Sequence, residues 1–390
     1  AEEVNRTERT WHCQVDDLTT TICANFGAAD PNVELVEINV RECLFMPTIA
    51  RLQYITVDGF HFLHAAANWA PPVIELQTGA IGPRMGKHWI IENCTVTNAR
   101  CAGIILGHAP GVDYDDIDAY GDHIVRNNVI RRCGQAGIAG QKGATRSLIC
   151  GNLIEDTNYR REFGGWETAA IKFHNSVDTV IRGNLIRGVF RQKQGAFGIW
   201  IDFGNQGVRI TRNIVYNTEA ATLFLEMNHG PTLVDCNVFI GNATRSNSEA
   251  TVFAHNLFVD CPYLYYPDVQ RQSRYFKPHT TEAVGRKTGT AQDEKWFNNI
   301  FVRRGLAGKF AASVRLWTVL SSSVAGMLGL AVSSALFGIP FSTGESGAWT
   351  EAISMLGSFK EQSGASLPLI AILASIVLGA VAAWVDPLYH

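Results

Sequence analysis

One short phrase recurs along this chain, and that recurrence constrains the fold more than any other feature. The phrase is a short apolar run, two further residues, then Asn followed by two more apolar residues. It reads V-I-R-G-N-L-I around Asn184, R-I-T-R-N-I-V around Asn213 and L-V-D-C-N-V-F around Asn237. Further copies surround Asn128, Asn152, Asn256 and Asn299, and weaker ones run from Val57 to Phe62 and from Ile91 to Val96. The Asn-to-Asn steps are 24, 32, 29, 24, 19 and 43 residues. Irregular steps of roughly 20 to 35 suit a parallel β-helix, in which each coil carries short strands and loops of free length. The apolar runs are short, rich in Ile, Val and Phe, and end in Gly, Asn or Asp, which is strand patterning. The fold class expected is all-β, a right-handed parallel β-helix from about residue 10 to 302, followed by an apolar helical tail. The Asn side chains are expected to stack coil on coil as a structural ladder.

Alternation then assigns faces. In G-I-W-I-D, Ile199 and Ile201 point into the coil, so Trp200 and Asp202 point outward. In L-F-L-E, Leu223 and Leu225 point in and Phe224 and Glu226 point out. One turn earlier, A-I-K-F-H places Lys172 and His174 outside, and G-I-A-G-Q places Gln141 in line with them. Two outward columns result: Gln141, His174, Asp202, Glu226 and, beside it, Lys172, Trp200, Phe224. Asp202 and Glu226 each precede a ladder Asn by eleven residues. A slip of one residue would bury both acids, so this register is well specified.

Composition excludes some classes. The chain has 390 residues and a net charge of -3, with no basic stripe, so nucleic acid is not an expected partner. Nine Cys without a C-x-x-C pair read as thiols filling coil positions rather than as a disulfide framework or a metal site. The histidines His61, His64, His88, His108 and His123 lack metal-ligand spacing and read as surface or packing residues. No metal and no cofactor is expected. The chain opens Ala1-Glu2-Glu3, which suggests a processed or truncated product.

Past Arg304 the phrase stops. Residues 316–344 and 364–385 carry no charge, and each run is long enough to cross a bilayer. The chain therefore divides into a β-helix over 1–305 and an apolar helical segment over 306–390. These two runs are the candidates for membrane contact. Arg303, Arg304, Lys309 and Arg315 before them would place the β-helix in the cytoplasm or at the membrane. Foreign sequence, or helices of a soluble domain, are the other readings of the tail. Self-association into a homo-oligomer stays open.

Coils of a β-helix lie about 4.8 Å apart, so carboxyls in one column sit about 5 Å apart. That is the separation of nucleophile and acid/base in retaining glycosidases, whereas inversion needs about 6.5 to 9.5 Å. Two close carboxyls push their pKa values apart, which leaves one ionised and one protonated. Trp200 and Phe224 offer flat apolar surface to a sugar ring. Asn228 and His229, in N-H-G-P, either orient Glu226 or make the turn after its strand.

The stretches V-E-L-V-E-I-N-V-R-E, Y-I-T-V-D-G-F, W-A-P-P, W-I-I-E-N, I-K-F-H-N, G-I-W-I-D-F-G-N-Q-G and L-F-L-E-M-N-H-G-P resemble the β-helical β-xylosidases of glycoside hydrolase family 120. The resemblance covers roughly residues 10 to 302. It implies a retaining, exo-acting enzyme that removes xylose from short xylo-oligosaccharides. By motif, Asp202 would be the nucleophile and Glu226 the acid/base. Glu167 matches a further acid of that site, and Lys172 and His174 would contact sugar hydroxyls. The β-sandwich that accompanies the β-helix in that family has no counterpart legible here. Two alternatives remain: a β-helical polysaccharide lyase using Lys172 as base, and a non-catalytic glycan-binding β-helix.

Overall fold

The computed structural model describes residues 2–66, 78–107, 116–165, 167–265 and 271–303. The expected helical tail, with both candidate membrane runs, lies outside them, as do His108 and the W-A-P-P stretch. Among the described residues no helix is long and apolar enough to cross a membrane.

The chain divides into two units, Ala1–Val40 and Arg41 onward. The first unit contains a helix, Glu2–Arg6, and an antiparallel hairpin of Trp11–Val15 with Thr20–Ala24. Asp16 fixes the hairpin turn, its Oδ1 accepting from the backbone N–H groups of Leu18 and Thr19 at 2.9 and 2.7 Å. Asn25 Nδ2 donates to the Val4 carbonyl at 2.8 Å and ties the helix to the hairpin. Coils were expected from about residue 10. Residues 11–24 instead pair with each other, and the coils begin at Thr56. The reason is the short Asp-centred turn, which brings adjacent strands together antiparallel.

The second unit is a parallel β-helix of three sheets. The first sheet has nine strands, from Thr56–Asp58 to Lys295–Phe297, and the second has nine, from His61–Leu63 to Ile300–Val302. The third has eight, from Gly79–Ile81 to Tyr263–Tyr265. Every neighbouring pair within these sheets is parallel, one coil apart. Alternation places one side chain of each three-residue strand inside. In the first sheet these stack as Val57, Ile91, Val125, Ile149, Ile181, Ile210, Val234 and Phe253. In the third sheet Ile104, Ile138, Ile171, Ile199 and Leu223 do the same. All belong to one continuous buried core. Burying each such side chain is worth about 1.5–3 kcal/mol, an upper estimate because real unfolded chains are already partly compact.

The Asn ladder runs along the turn between the first and second sheets. Each amide Nδ2 donates to the Oδ1 of the next Asn, from Asn128 through Asn152, Asn184, Asn213, Asn237 and Asn256 to Asn299, at 2.9–3.0 Å. The same Oδ1 atoms accept the preceding Asn backbone N–H, and the remaining Nδ2 hydrogen reaches a carbonyl of the preceding coil. The buried turn is thereby fully hydrogen-bonded. The longest step, between Asn256 and Asn299, is explained by an inserted antiparallel hairpin, Gln272–Phe276 with Ala283–Thr288.

None of the nine cysteines forms a disulfide, and four of them are buried. Among the described residues no group of His, Cys, Asp and Glu is arranged to hold a metal ion.

Candidate active site

The register that alternation predicted is the one observed in the third sheet. Lys172 pairs with Trp200, Trp200 with Phe224, and Phe224 with Arg245. The residues just past these strands follow in the same order. The N–H of His174 donates to the Gly140 carbonyl, that of Asp202 to Phe173, and that of Glu226 to Ile201. Asn247 extends this column by one coil, donating to Leu225. Asp202 and Glu226 are thus stacked neighbours at the mouth of the third sheet.

Asp202 is fixed through both oxygens. Its Oδ1 accepts the N–H of Phe203 at 2.7 Å. Its Oδ2 lies 2.7 Å from His174 Nε2 and 3.0 Å from Lys172 Nζ. Lys172 is fully buried and also pairs closely with Glu167. Burial alone would raise the Asp202 pKa, but the electrostatic pull of His174 and Lys172, with hydrogen bonds from His174 and Phe203, holds it far below the usual carboxylate range.

Glu226 goes the other way. Burial is the main cause and the neighbouring Asp202 charge adds to it, so its pKa is pushed up to about 8 despite Lys172 and an indole hydrogen bond acting downward. Glu226 Oε2 accepts from Trp200 Nε1 at 3.0 Å. The pair therefore holds one ionised and one protonated carboxyl at neutral pH, within reach of each other.

Glu167, Lys172, His174, Asp202 and Glu226 are brought together as expected. Trp200 adjoins them through Lys172 and Glu226, with Phe224 stacked behind it, whereas Asn228 and His229 are tied to other partners. Trp200 and Phe224 retain only 2% and 1% of their surface exposed, so neither offers a face to a sugar. They stack on each other at 5.5 Å, with Phe197 against both. Alternation gives the direction of a side chain but not what covers it.

Asn228 and His229 are buried and turn away from the acids. Asn228 belongs to a second ladder: Asn205 Nδ2 donates to Asn228 Oδ1 at 2.9 Å, and Asn228 Nδ2 to Ser248 Oγ at 3.0 Å. Ser176 caps it, its Oγ donating to Asn205 Oδ1 at 2.6 Å. The sequence signal was the Asn pair at 205 and 228, obscured because the neighbouring rungs change to Ser.

His229 sits between Glu249 Oε1 at 3.2 Å and Ser273 Oγ at 2.6 Å, anchoring the inserted hairpin to the coil. Glu249 also binds Lys287 and Thr290. Burial acts against its charge, but these hydrogen bonds from His229, Lys287 and Thr290 lower its pKa to about 2. A separate polar cavity lined by Lys87, Asp122, Arg146, Asp178 and His279 contains none of the third-sheet residues.

Comparison with known proteins follows the same division. The family described as "Right handed beta helix region" matches residues 80–258, and "Glycoside hydrolase 120, insertion domain" matches residues 1–38. Among solved structures, the complex of XylC with xylose is 35% identical, with a TM-score of 0.69 over 76% of this chain and 49% of that one. The chain thus spans about half the length of that relative. PfbA, a surface adhesin of Streptococcus pneumoniae, gives 15% identity and a TM-score of 0.42 over 66% of this chain and 57% of its own. The GH136 lacto-N-biosidase of Eubacterium ramulus gives 14% and 0.40, over 72% and 48%. No curated protein matches the chain.

Proposed function

We propose that this relative of glycoside hydrolase family 120, which carries that family's insertion-domain signature and a β-helix similar to that of XylC, is a retaining β-xylosidase acting on short xylo-oligosaccharides. The observation that carries the reading is the stacked pair of Asp202 and Glu226, one held ionised and the other held protonated. The xylose preference draws on the likeness to a protein solved with xylose.

The geometry supports a double displacement. Asp202 Oδ attacks the anomeric carbon as the glycosidic C–O bond breaks, and Glu226 gives its proton to the departing oxygen. The product is a glycosyl ester on Asp202. Esterification removes the Asp202 charge that raises the Glu226 pKa, so Glu226, now ionised, becomes a better match for its second task. It takes a proton from water, the resulting hydroxide attacks the anomeric carbon, and Asp202 leaves as the carboxylate. Anomeric configuration is retained. Lys172 and His174 balance the Asp202 charge before attack and as it returns.

The deciding experiment incubates the chain with aryl β-xylosides and follows the released sugar by proton NMR. First appearance of the β-anomer fits the proposal. First appearance of the α-anomer would show inversion, and an unsaturated product would show a lyase.

A further inference from the structure

This inference rests on the glycosidase reading and adds a residue that acts on the acid/base rather than on the sugar. We propose that Trp200 is the positioning residue of Glu226, and that it dictates which carboxyl oxygen carries the transferable proton.

The indole is held in a four-layer column. Lys172 Nζ lies 3.4 Å from the Trp200 ring centroid on one face. Phe224 stacks on the other face at 5.5 Å and 19°. The Arg245 guanidinium carbon then lies 4.7 Å over Phe224. Each layer is one coil from the next, with one register shift, just before Leu223, between the strands of Phe224 and Arg245. Phe197 packs at 4.6 Å against Trp200 and 5.1 Å against Phe224. Cations over ring faces and a stacked aromatic pair are each attractive, and in a buried column the attraction is not screened by water. The ring is buried and held on both faces.

Its one polar atom, Nε1, points to Glu226 Oε2 at 3.0 Å. An indole N–H only donates. Oε2 accepts this bond, and because a carbonyl oxygen is the better acceptor, the bond favours the acidic proton on Oε1. A carboxyl whose two oxygens are otherwise interchangeable is given a defined donor atom. The other groups facing Glu226 are Asp202 and Lys172. Asp202 is itself faced by His174 and the Phe203 N–H, and Lys172 by Glu167. Asp202, held ionised, only accepts, and the Lys172 ammonium only donates; the Trp200 bond falls on a defined Glu226 oxygen, Oε2. Lys172 also contacts Asp202 at 3.0 Å, so the residue that balances the nucleophile caps the column that orients the acid.

The test uses Trp200→Phe, which keeps an aromatic layer and removes the N–H. With a xyloside of poor leaving group, kcat/KM should fall roughly tenfold or more, and with a dinitrophenyl leaving group by less than about threefold. The alkaline limb of the profile should move to higher pH, because the lost hydrogen bond acted to lower the Glu226 pKa. Equal losses on both substrates with an unmoved limb would overturn the proposal and reduce Trp200 to packing. A second readout needs no turnover. In the unaltered chain the indole 15N–1H signal of Trp200, assigned by its loss in Trp200→Phe, should shift as Glu226 titrates and should stop shifting in Glu226→Gln. A signal indifferent to pH overturns the proposal. A titrating signal in a chain that hydrolyses no glycoside would support the positioning and overturn the glycosidase reading instead.

Discussion

The turn between the first and second sheets and the outer face of the third sheet are built on the same coil-to-coil register, yet they use it differently. At the turn, the register repeats one residue: seven Asn from Asn128 to Asn299, joined by six like bonds. On the outer face, the register changes the residue at every coil: Gln141, His174, Asp202, Glu226 and Asn247. Repetition satisfies buried backbone groups and serves stability. Variation at fixed spacing sets unlike groups side by side, and chemistry needs unlike groups. A mutation should therefore cost stability in the first region and turnover in the second.

The largest effect tests the second region. Asp202→Ala should reduce kcat by about 10⁴-fold or more on every substrate, because it removes the carboxylate that forms the sugar ester. Glu226→Ala should lose roughly 10²–10⁴-fold on poor leaving groups and far less on activated ones, with azide restoring turnover as the β-glycosyl azide. Rapid-mix trapping of the intermediate checks the first, and a leaving-group series the second. Near-normal turnover by Asp202→Ala would end the assignment.

The ladder should respond in the opposite currency. Asn213→Ala removes the Oδ1 that accepts the Asn184 N–H and Nδ2 at 2.9 Å, and the Nδ2 that donates to the Ile181 carbonyl at 2.9 Å. Orphaning those buried groups should cost about 3 kcal/mol in urea unfolding, with KM unchanged. A variant of full stability would show that the ladder is decorative.

The pH profile sharpens the comparison further. Glu226 must be protonated in the free enzyme, so kcat/KM should fall as pH rises through about 8. Asp202 is held low and stays ionised, so the acidic limb should lie well below the ordinary carboxylate range. An alkaline limb near the ordinary carboxylate value would mean that Glu226 is not the acid.

The smallest effect belongs to repeats that face solvent. Arg209 reaches across one coil to Asp235 at 2.9–3.0 Å but is half exposed. Arg209→Ala should cost less than about 1 kcal/mol and leave activity intact. Equilibrium unfolding beside Asn213→Ala makes the contrast direct.

What the sequence made legible follows from the same division. A repeated phrase translates into a ladder without further information, and alternation placed Asp202 over Glu226 because a strand has only two faces. The burial of Trp200 and Phe224 was not legible, since what covers an outward side chain comes from other coils. The choice left open for Asn228 was not legible because its ladder partners, Asn205 and Ser248, lie in a column whose chemistry changes. The choice for His229 was equally open because its partners Glu249 and Ser273 are brought by a later turn and by an inserted hairpin. The antiparallel pairing of 11–24 depended on a turn centred on Asp16, outside the repeating phrase.

The direction of the Asn ladder has a consequence of its own. Each amide from Asn128 to Asn256 donates one hydrogen to the Asn of the later coil, so the six side-chain bonds all run in one direction along the axis. Neighbours in such a line polarise one another, and each strengthens the bond made by the next. The line behaves as a single cooperative object rather than as six separate bonds. A rung lost near Asn128 merely shortens it, whereas a rung lost near Asn213 divides it into two weaker halves. The harm done by a ladder mutation should thus depend on its position along the axis, even where every local contact is the same.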